Sequence, residues 1–329
     1  MVCELGDDSA WPAFVEARAR LAAGEADLQF HRTPNGWRCV PAEPPGADAA
    51  ERFCLLPPSS APTGPCTVWA PTAAGAPGFV HPTGRPVDAA FLGMARVYLP
   101  VLLGAAAARR RGRTFVAGHV TQTLDGRIAC PNGQSQWIGN AADLRHAHRM
   151  RALLDGVLVG AGTVRTDDPR LDVRHVHGPN PRRIVFSGSG SVLCSDGRHV
   201  FRAPGCDVVV AAAAAATAAA APAGAHVLPV RAHGTCLDIG HALSLLRERG
   251  VHSIYLEGGS ATLSSFLRAR AVDLLQVHIA GLVLGAGVPS ISLPPVEHVR
   301  DGLQFAMDHA MLDGHVLLSC WPERVPGEP

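Results

Sequence analysis

A short turn between an apolar run and an amphipathic segment carries a clear chemical signal in this 329-residue chain. Residues 251–256 are mostly strand-forming types, Gly258-Gly259 interrupts them, and Ser260 is a good N-cap for the apolar residues that follow at helical spacing. Glycines let a ligand approach the backbone closely, and the amides of a helix's first turn attract an anion. Glu257 adds a carboxylate at the end of the strand, where open α/β sheets bind ligands. The turn therefore indicates an anion site beside a carboxylate, although an ordinary strand-to-helix turn has the same pattern.

Two other polar clusters follow predicted strands, one at residues 123–126 and one at residues 162–169. Between and beyond them lie four further candidates: Ser135, Trp137, Arg151 and Arg174. Two arginines brought together clamp a phosphate with paired hydrogen bonds, and an indole offers a flat face to a heteroaromatic ring. The alternatives are structural: Asp125 as a turn former, Arg151 on a solvated helix face, and Trp137 in the core.

Composition excludes several classes of function. The formal net charge is +1 and there is no long basic run, so we expect no nucleic-acid partner. The nine cysteines form no CxxC pair, and the N-terminus lacks the pattern of a secretory signal, which together predict free thiols and a cytoplasmic location. The most membrane-like stretch, residues 97–108, is too short to cross a bilayer of about 30 Å, so we expect a buried or amphipathic helix.

The chain divides into two regions of different character. Residues 1–110 contain a predicted helix at 11–23, a Pro/Gly-rich tract at 41–86 and a second helical stretch at 87–108, and we assign them to an N-terminal accessory region of unknown fold. From residue 111 to 329, predicted strands alternate with helices: strands at 115–120, 156–159, 183–186, 206–210, 274–280 and 315–320, and helices at 141–154 and 239–249. This alternation predicts an α/β domain with a mixed, mostly parallel sheet.

Other catalytic signatures are missing from the sequence. His146 and His148 lie two residues apart and do not share a helix face, which disfavours a metal site there. His175 and His177 have no evident third ligand. The chain contains no GxSxG motif, no P-loop and no zinc-deaminase motif.

Seven motifs occur in a characteristic order: TLDGRIA, GQSQWI, a helix ending in R-x-R, VGAGTVRTDDPRLDVR, PRRIVFS, YLEGGSATL and VDLLQVHIAGLVLG. This series resembles the reductase domain of bacterial riboflavin-biosynthesis deaminase–reductases, the RibD C-terminal-domain family, over residues 114–321. The resemblance implies a dihydrofolate-reductase-like fold and NADPH-dependent reduction of the ribosyl group of 5-amino-6-(5-phosphoribosylamino)uracil. It also implies a homodimer. Residues 1–110 lack the zinc motif of the deaminase domain found in bifunctional members, so we expect no deaminase activity.

The resemblance also assigns residues by position. Matching NADPH contacts are Thr121, Trp137, Thr163, Asp167, Gly259, Ser260, Ala261, Thr262, Leu263, Ser264 and Ser265. Matching substrate contacts are Ser135, Arg151, Leu171, Arg174 and Glu257. On this basis Arg151 and Arg174 would hold the substrate phosphate, and Glu257 would bind and polarise the ribosyl end. No metal is implied.

Two departures from the family pattern affect the expected chemistry. His119 occupies the position of a lysine that acts near the reacting carbonyl, and it is our second catalytic candidate beside Glu257. After the strand at 183–186 the chain reads Ser187-Gly188-Ser189-Gly190, without the charge that would favour a 2′-phosphate. These departures leave two alternatives open. One is a specialised reductase of a related pterin-like or nucleoside compound, and the other is a nucleotide-binding protein without catalysis.

Overall fold

The computed structural model describes residues 8–25, 28–33, 36–41, 52–55, 67–71, 77–80, 89–194, 197–202, 205–217 and 221–323. Its N-terminal elements are α1 (Trp11–Ala22), β1 (Leu28–Thr33), β2 (Gly36–Pro41), β3 (Arg52–Leu55), β4 (Thr67–Pro71), β5 (Pro77–Val80) and α2 (Ala89–Arg110). The strands form a five-stranded sheet of order β2-β1-β3-β4-β5, in which only the β3–β4 pair is parallel. Much of the Pro/Gly-rich tract at 41–86 lies outside the described residues.

The rest of the chain builds a larger α/β unit. Its elements are β6 (Phe115–Thr123), β7 (Arg127–Ala129), α3 (Ala141–Leu153), β8 (Gly156–Gly160), α4 (Ala161–Asp167), β9 (Arg182–Ser187), β10 (Cys206–Ala211), α5 (Ala212–Thr217), β11 (Ala225–Val230), β12 (Ala232–His233), β13 (Cys236–Leu237), α6 (Ile239–Glu248), β14 (Ser253–Leu256), α7 (Ser260–Arg268), β15 (Leu274–Ala280), β16 (Val288–Pro289), β17 (Phe305–Leu312) and β18 (His315–Pro322).

The central sheet has nine strands in the order β11-β10-β9-β8-β14-β6-β15-β18-β17. Neighbours from β11 to β15 are parallel, whereas β18 is antiparallel to both β15 and β17. The prediction of a mixed, mostly parallel sheet is confirmed. Because the carboxyl ends of parallel strands share one edge, the residues after β6, β8, β9 and β14 come together.

Burial on both faces explains why the central strands are apolar throughout. Val157, Val159 and Tyr255 belong to a core shared with α1, α2 and α3, whereas Leu158 and Ile254 belong to a second core with α6 and α7. The first core also contains Phe14 of α1 and Tyr98 of α2, among other residues of these two helices. Two elements of the N-terminal region therefore pack directly against the large sheet.

Helix α2 corrects part of the expectation about residues 97–108. The helix continues through Pro100 and has 22 residues, so it is long enough to cross a bilayer by length and composition alone. In its most apolar window, 61% of the residues are buried inside the protein. Burial, and not shortness, therefore marks α2 as a core helix.

Candidate active site

Helix α7 begins without a side-chain cap. Gly259 is the N-cap residue, so the prediction that Ser260 caps this helix is wrong: Ser260 is already its first helical residue. The amides of Thr262 and Leu263 both donate to the carbonyl of Gly259, at 3.1 Å each. The amides of Ser260 and Ala261 precede the first helical hydrogen bond and have no backbone acceptor within the described chain. These two amides, at the positive end of the helix dipole, are suited to an anion.

A cleft of about 1220 Å³ opens in front of this helix start. It runs between the beginnings of α4 and α7 and the loop after β9, and it is large enough for an extended ligand. Seven of the residues assigned to cofactor binding line it: Thr163, Gly259, Ser260, Ala261, Thr262, Ser264 and Ser265. Leu263 does not, because its side chain is fully buried in the core beneath the helix.

Two glycines let α7 lie close to the ends of β8 and β14. A Cβ at Gly160 would lie 2.4 Å from the Thr262 hydroxyl, and one at Gly258 would lie 2.9 Å from the Thr262 Cβ. Both distances are below any real contact, so a side chain at either position would require Thr262 to rotate or α7 to move. This close approach brings the helix amides to the sheet edge.

The other residues assigned to the cofactor lie outside the cleft lining. Thr121 donates a hydrogen bond of 2.7 Å to Asp143 Oδ2. Asp167 is exposed at the end of α4. Trp137 is 88% exposed with a φ of 75°, so the alternative that it is a core residue is wrong. Ser135 is exposed on the same loop as Trp137. Neither residue lines the cleft.

A buried ion pair joins the helix α3 to the end of β14. Arg151 Nε donates to Glu257 Oε1 at 2.6 Å, and its Nη2 donates to Oε2 at 2.7 Å. The two side chains are only 9% and 16% exposed. Burial alone would lower the pKa of Arg151, but the Glu257 carboxylate raises it above the ordinary value. Arg151 is therefore a charged residue inside the site and does not lie on a solvated helix face.

The segment after α4 brings the second arginine to the first. Arg151 donates to the carbonyl oxygen of Asp172 at 3.1 Å, and Arg174 pairs with the Asp172 carboxylate. The Arg174 side chain is 42% exposed, so its guanidinium is open to solvent. Leu171, at a φ of 56°, is buried just before Asp172. Both predicted phosphate-binding arginines thus meet at one residue.

His148 contacts both Arg151 and Arg174. Its Nδ1 accepts the backbone N–H of Arg174 at 3.1 Å, and its Nε2 lies 3.4 Å from Arg151 Nη1. Burial, followed by the charges of Arg151 and Arg174, lowers the pKa of His148 to about 3. The ring is therefore neutral and serves as an acceptor. Sequence spacing gave no signal for this role of His148 or for that of Asp172.

His119 lies in a buried polar cluster beneath the site. Its Nε2 is 3.3 Å from Asp143 Oδ1, and the same oxygen is 2.8 Å from His278 Nδ1. The far nitrogen of His278 lies 3.0 Å from His315 Nδ1. His119 is 8% exposed and stacks on the ring of Tyr255. Burial would raise the pKa of Asp143, but His119 and His278 hold it well below its usual range.

This arrangement does not present His119 to the cleft, and Asp143 and His278 were missed in the sequence. Asp143 was visible only as an acid in the first turn of α3, where Asn140 accepts its amide as the N-cap. Asp125, in contrast, has the structural role that was weighed for it: it accepts the amides of Leu284 and Gly285 and fixes the turn after β6.

The Gly258-Gly259 turn separates two chemically different halves of the candidate site. On one side are Glu257 and the arginines, which suit a phosphorylated substrate with hydroxyl groups. On the other side is the uncapped start of α7 above a cleft that suits a pyrophosphate. A dinucleotide in the cleft and a sugar phosphate at the arginines would meet at the end of β14.

Comparison with known proteins identifies the family to which most of the α/β unit belongs. The family model of the RibD C-terminal domain matches residues 114–315, more than half of the chain. The riboflavin biosynthesis protein RibD of Mycobacterium tuberculosis is 29% identical over 215 residues, which cover 64% of this chain and 55% of that protein. The 2,5-diamino-6-ribosylamino-4(3H)-pyrimidinone 5′-phosphate reductase of Aquifex aeolicus is 33% identical over 178 residues, 51% of this chain and 78% of that protein. The chain spans about half the length of the first of these relatives.

Solved structures carry the same fold. A deaminase/5-amino-6-(5-phosphoribosylamino)uracil reductase from Thermotoga maritima superposes with a TM-score of 0.58 at 27% identity, covering 70% of this chain and 63% of that one. Acinetobacter baumannii RibD superposes with a TM-score of 0.60 at 18% identity, covering 95% of this chain and 97% of that one. The second likeness concerns the fold alone. The α/β unit is thus of the dihydrofolate-reductase-like type found in RibD reductase domains.

Proposed function

This chain belongs to the RibD C-terminal domain family, and we propose that it is an NADPH-dependent reductase of a phosphoribosylamino-pyrimidine. The substrate would be 5-amino-6-(5-phosphoribosylamino)uracil or a close relative, reduced at its ribosyl group. One observation carries the proposal: Glu257, which is paired with Arg151, lies two residues before Gly259, the N-cap residue of α7. Gly259 has no side chain to bind the free amides of this helix. The glycine turn therefore has Glu257 and the arginines on one side and the cleft on the other.

The residues of the cleft fit a dinucleotide. The amides of Ser260 and Ala261 would hold its pyrophosphate, and the glycines at 160 and 258 keep these amides at the sheet edge. Bound there, the dinucleotide would supply a hydride from nicotinamide C4 to C1 of the opened sugar or its imine. The protein's contribution is to align the two partners and exclude water.

The substrate half-site would act through charge and position. The solvent-accessible guanidinium of Arg174 would bind the phosphate, with Arg151 behind it. Glu257 accepts two hydrogen bonds from Arg151, and its remaining lone pairs would accept a hydrogen bond from a sugar hydroxyl. His148 keeps Arg174 in place through its backbone amide. Each of these residues binds or orients the substrate.

Loss of NADPH absorbance in the presence of this substrate tests the proposal, and no turnover with NADPH or NADH would refute it. Arg174→Ala should raise KM at least about tenfold, since a charge-assisted hydrogen bond contributes roughly 1.5–3 kcal/mol, and should leave NADPH binding nearly intact. Arg170→Ala is the matched control, because Arg170 pairs with the same Asp172 carboxylate and is 61% exposed. Equal losses in both variants would refute the phosphate-binding role of Arg174.

His119 favours a second candidate function. It is buried, faces Asp143 and does not line the cleft, whereas the family's lysine acts near the reacting carbonyl. A specialised reductase of a related pterin-like or nucleoside compound would have less need of a cation there. Failure of this chain to rescue a strain that lacks the riboflavin reductase, combined with turnover of such a compound, would favour this alternative. Tight NADPH binding without any turnover would indicate a binding protein.

We also propose the wider organisation of the protein. Residues 111–329 would form the reductase domain and residues 1–110 an accessory region without deaminase activity, and the matched span 114–315 supports this boundary. The protein would act as a homodimer in the cytoplasm, which light scattering of the purified chain and cell fractionation would test.

A further inference from the structure

Arg165 is a cation at the cleft that the family resemblance did not assign. It lies on α4, lines the cleft, and its Nη1 donates a hydrogen bond of 3.0 Å to Ser191 Oγ in the loop after β9. We propose that Arg165 is the residue that makes this site select a 2′-phosphorylated dinucleotide over the unphosphorylated form. This inference rests on the proposed function, because it concerns the adenosine end of the same cofactor.

The loop after β9 supplies the neutral half of this subsite. Ser187, Gly188, Ser189 and Ser191 all line the cleft. A Cβ at Gly188 would lie 1.9 Å from the backbone carbonyl oxygen of Thr235, so this loop packs tightly against the turn between β12 and β13. The amide of Ser191 also lies 3.4 Å from the Ser189 hydroxyl, its acceptor. The serine hydroxyls are therefore held at the cleft wall beside Arg165.

The charges of the cleft favour an added phosphate. Among the described residues that line it, the charged side chains are Arg165 and Arg268, and none is acidic. A carboxylate in the loop after β9 would accept hydrogen bonds from the ribose hydroxyls and would repel a 2′-phosphate, whereas an arginine accommodates this phosphate. The described carboxylates make no ion pair with Arg165, whose bond to Ser191 is to a neutral group. A phosphate would therefore bind without displacing a competing anion.

Position distinguishes Arg165 from Arg268. Arg268 is the last residue of α7, where its charge already complements the negative end of the helix dipole. It lies eight residues beyond Ser260, which is about 12 Å along a helix. Arg165 instead contacts the loop that follows β9, at the carboxyl edge of the sheet where open α/β sheets bind their ligands. The geometry thus assigns the 2′-phosphate to Arg165.

Binding measurements on the full chain test this assignment without requiring turnover. Adenosine 2′,5′-bisphosphate and AMP, which differ by the 2′-phosphate, are titrated by calorimetry at one ionic strength, together with NADPH and NADH. The intact chain should prefer the bisphosphate and NADPH. Arg165→Gln should weaken these two ligands roughly 10- to 100-fold, the effect of losing charge-assisted bonds, and change AMP and NADH less than about twofold. Arg165→Lys should retain part of the preference, because lysine keeps the positive charge but lacks the paired donors of the guanidinium group.

Two control variants complete the experiment. Arg300→Gln removes an exposed arginine outside the cleft, and Arg268→Gln removes the other arginine of the cleft, so neither should alter the preference. The inference is overturned if the intact chain shows no preference or binds neither probe, if Arg165→Gln leaves the preference intact, or if Arg268→Gln is the variant that removes it. Selective binding without turnover of the pyrimidine substrate would refute the proposed reaction alone and leave the role of Arg165 standing.

Discussion

Replacing Arg151 by Met, or Glu257 by Leu, would leave the other member of their ion pair buried and uncompensated. Both side chains are less than one-fifth exposed, and two short hydrogen bonds join them. Removing one partner of a buried pair costs about 3–5 kcal/mol. Because a little solvent reaches both groups, we expect the lower end, about 3 kcal/mol, for Glu257→Leu. Arg151→Met should cost about 1 kcal/mol more, because its bond to the Asp172 carbonyl is also lost.

The double variant distinguishes this reasoning from a simple loss of packing. Replacing a buried ion pair by apolar residues of similar volume is often neutral. We therefore expect the double variant to be more stable than the sum of the two single losses predicts. The difference in the free energy of unfolding should be about 3 kcal/mol or more. All three variants should lose reductase activity, so stability and activity would separate in the double variant.

Urea denaturation of the four chains measures this coupling, provided that fluorescence and circular dichroism give coincident transitions with similar slopes. Arg170→Met is the control, since Arg170 is 61% exposed and its pair with Asp172 should contribute less than about 1 kcal/mol. Single losses that add to within about 0.5 kcal/mol would refute the reasoning. They would mean that water solvates each charge when its partner is absent.

Two further predictions concern His146, a buried histidine of α3, and Gly160 at the end of β8. Burial, followed by the charge of His119, lowers the pKa of His146 from 6.5 to about 3, so between these values the unfolded chain binds a proton that the folded chain does not. The free energy of unfolding should fall with decreasing pH in this window, and in His146→Gln that slope should be smaller by about 1.4 kcal/mol per pH unit; unchanged slopes in urea titrations across the window would contradict the shift. Gly160→Ala places a methyl group 2.4 Å from the Thr262 hydroxyl and should destabilise the protein by about 1–3 kcal/mol and weaken dinucleotide binding. Adding Thr262→Ala should restore most of the stability, because the Thr262 Cβ is 3.7 Å away, and failure of this rescue would refute the steric explanation.

Local sequence was sufficient for most regular elements of the reductase-like unit. Helix α3, predicted at 141–154, ends one residue earlier, and α6, predicted at 239–249, begins at Ile239, where Asp238 accepts the amide of His241 as the N-cap. Strands such as β8 were recognised because both faces are buried and their apolar runs are continuous. Helix α4 was missed, since its seven residues carry glycine and threonine and show no apolar period.

The two edge strands of the central sheet were harder to predict. Strand β17 alternates weakly and was not assigned, and β11 contains Pro229, which lowers its strand character. Both lie at edges of the sheet, where one side of the strand needs no partner. Their places depend on pairing with β18 and β10, which no local pattern reports.

The sequence by itself determined that a glycine turn with a carboxylate lies at the end of a central strand, because periodicity and glycine placement are local properties. Only the tertiary structure decided which charges meet there. Arg151 faces Glu257 across 106 positions of the chain, and Arg165 reaches Ser191 across 26. A side chain's partner depends on which elements pack over it, and α1 and α2 cover α3 through contacts between residues far apart in the chain. Because α1 and α2 bury this side of α3, Arg151 belongs to the site and does not lie on a solvated helix face.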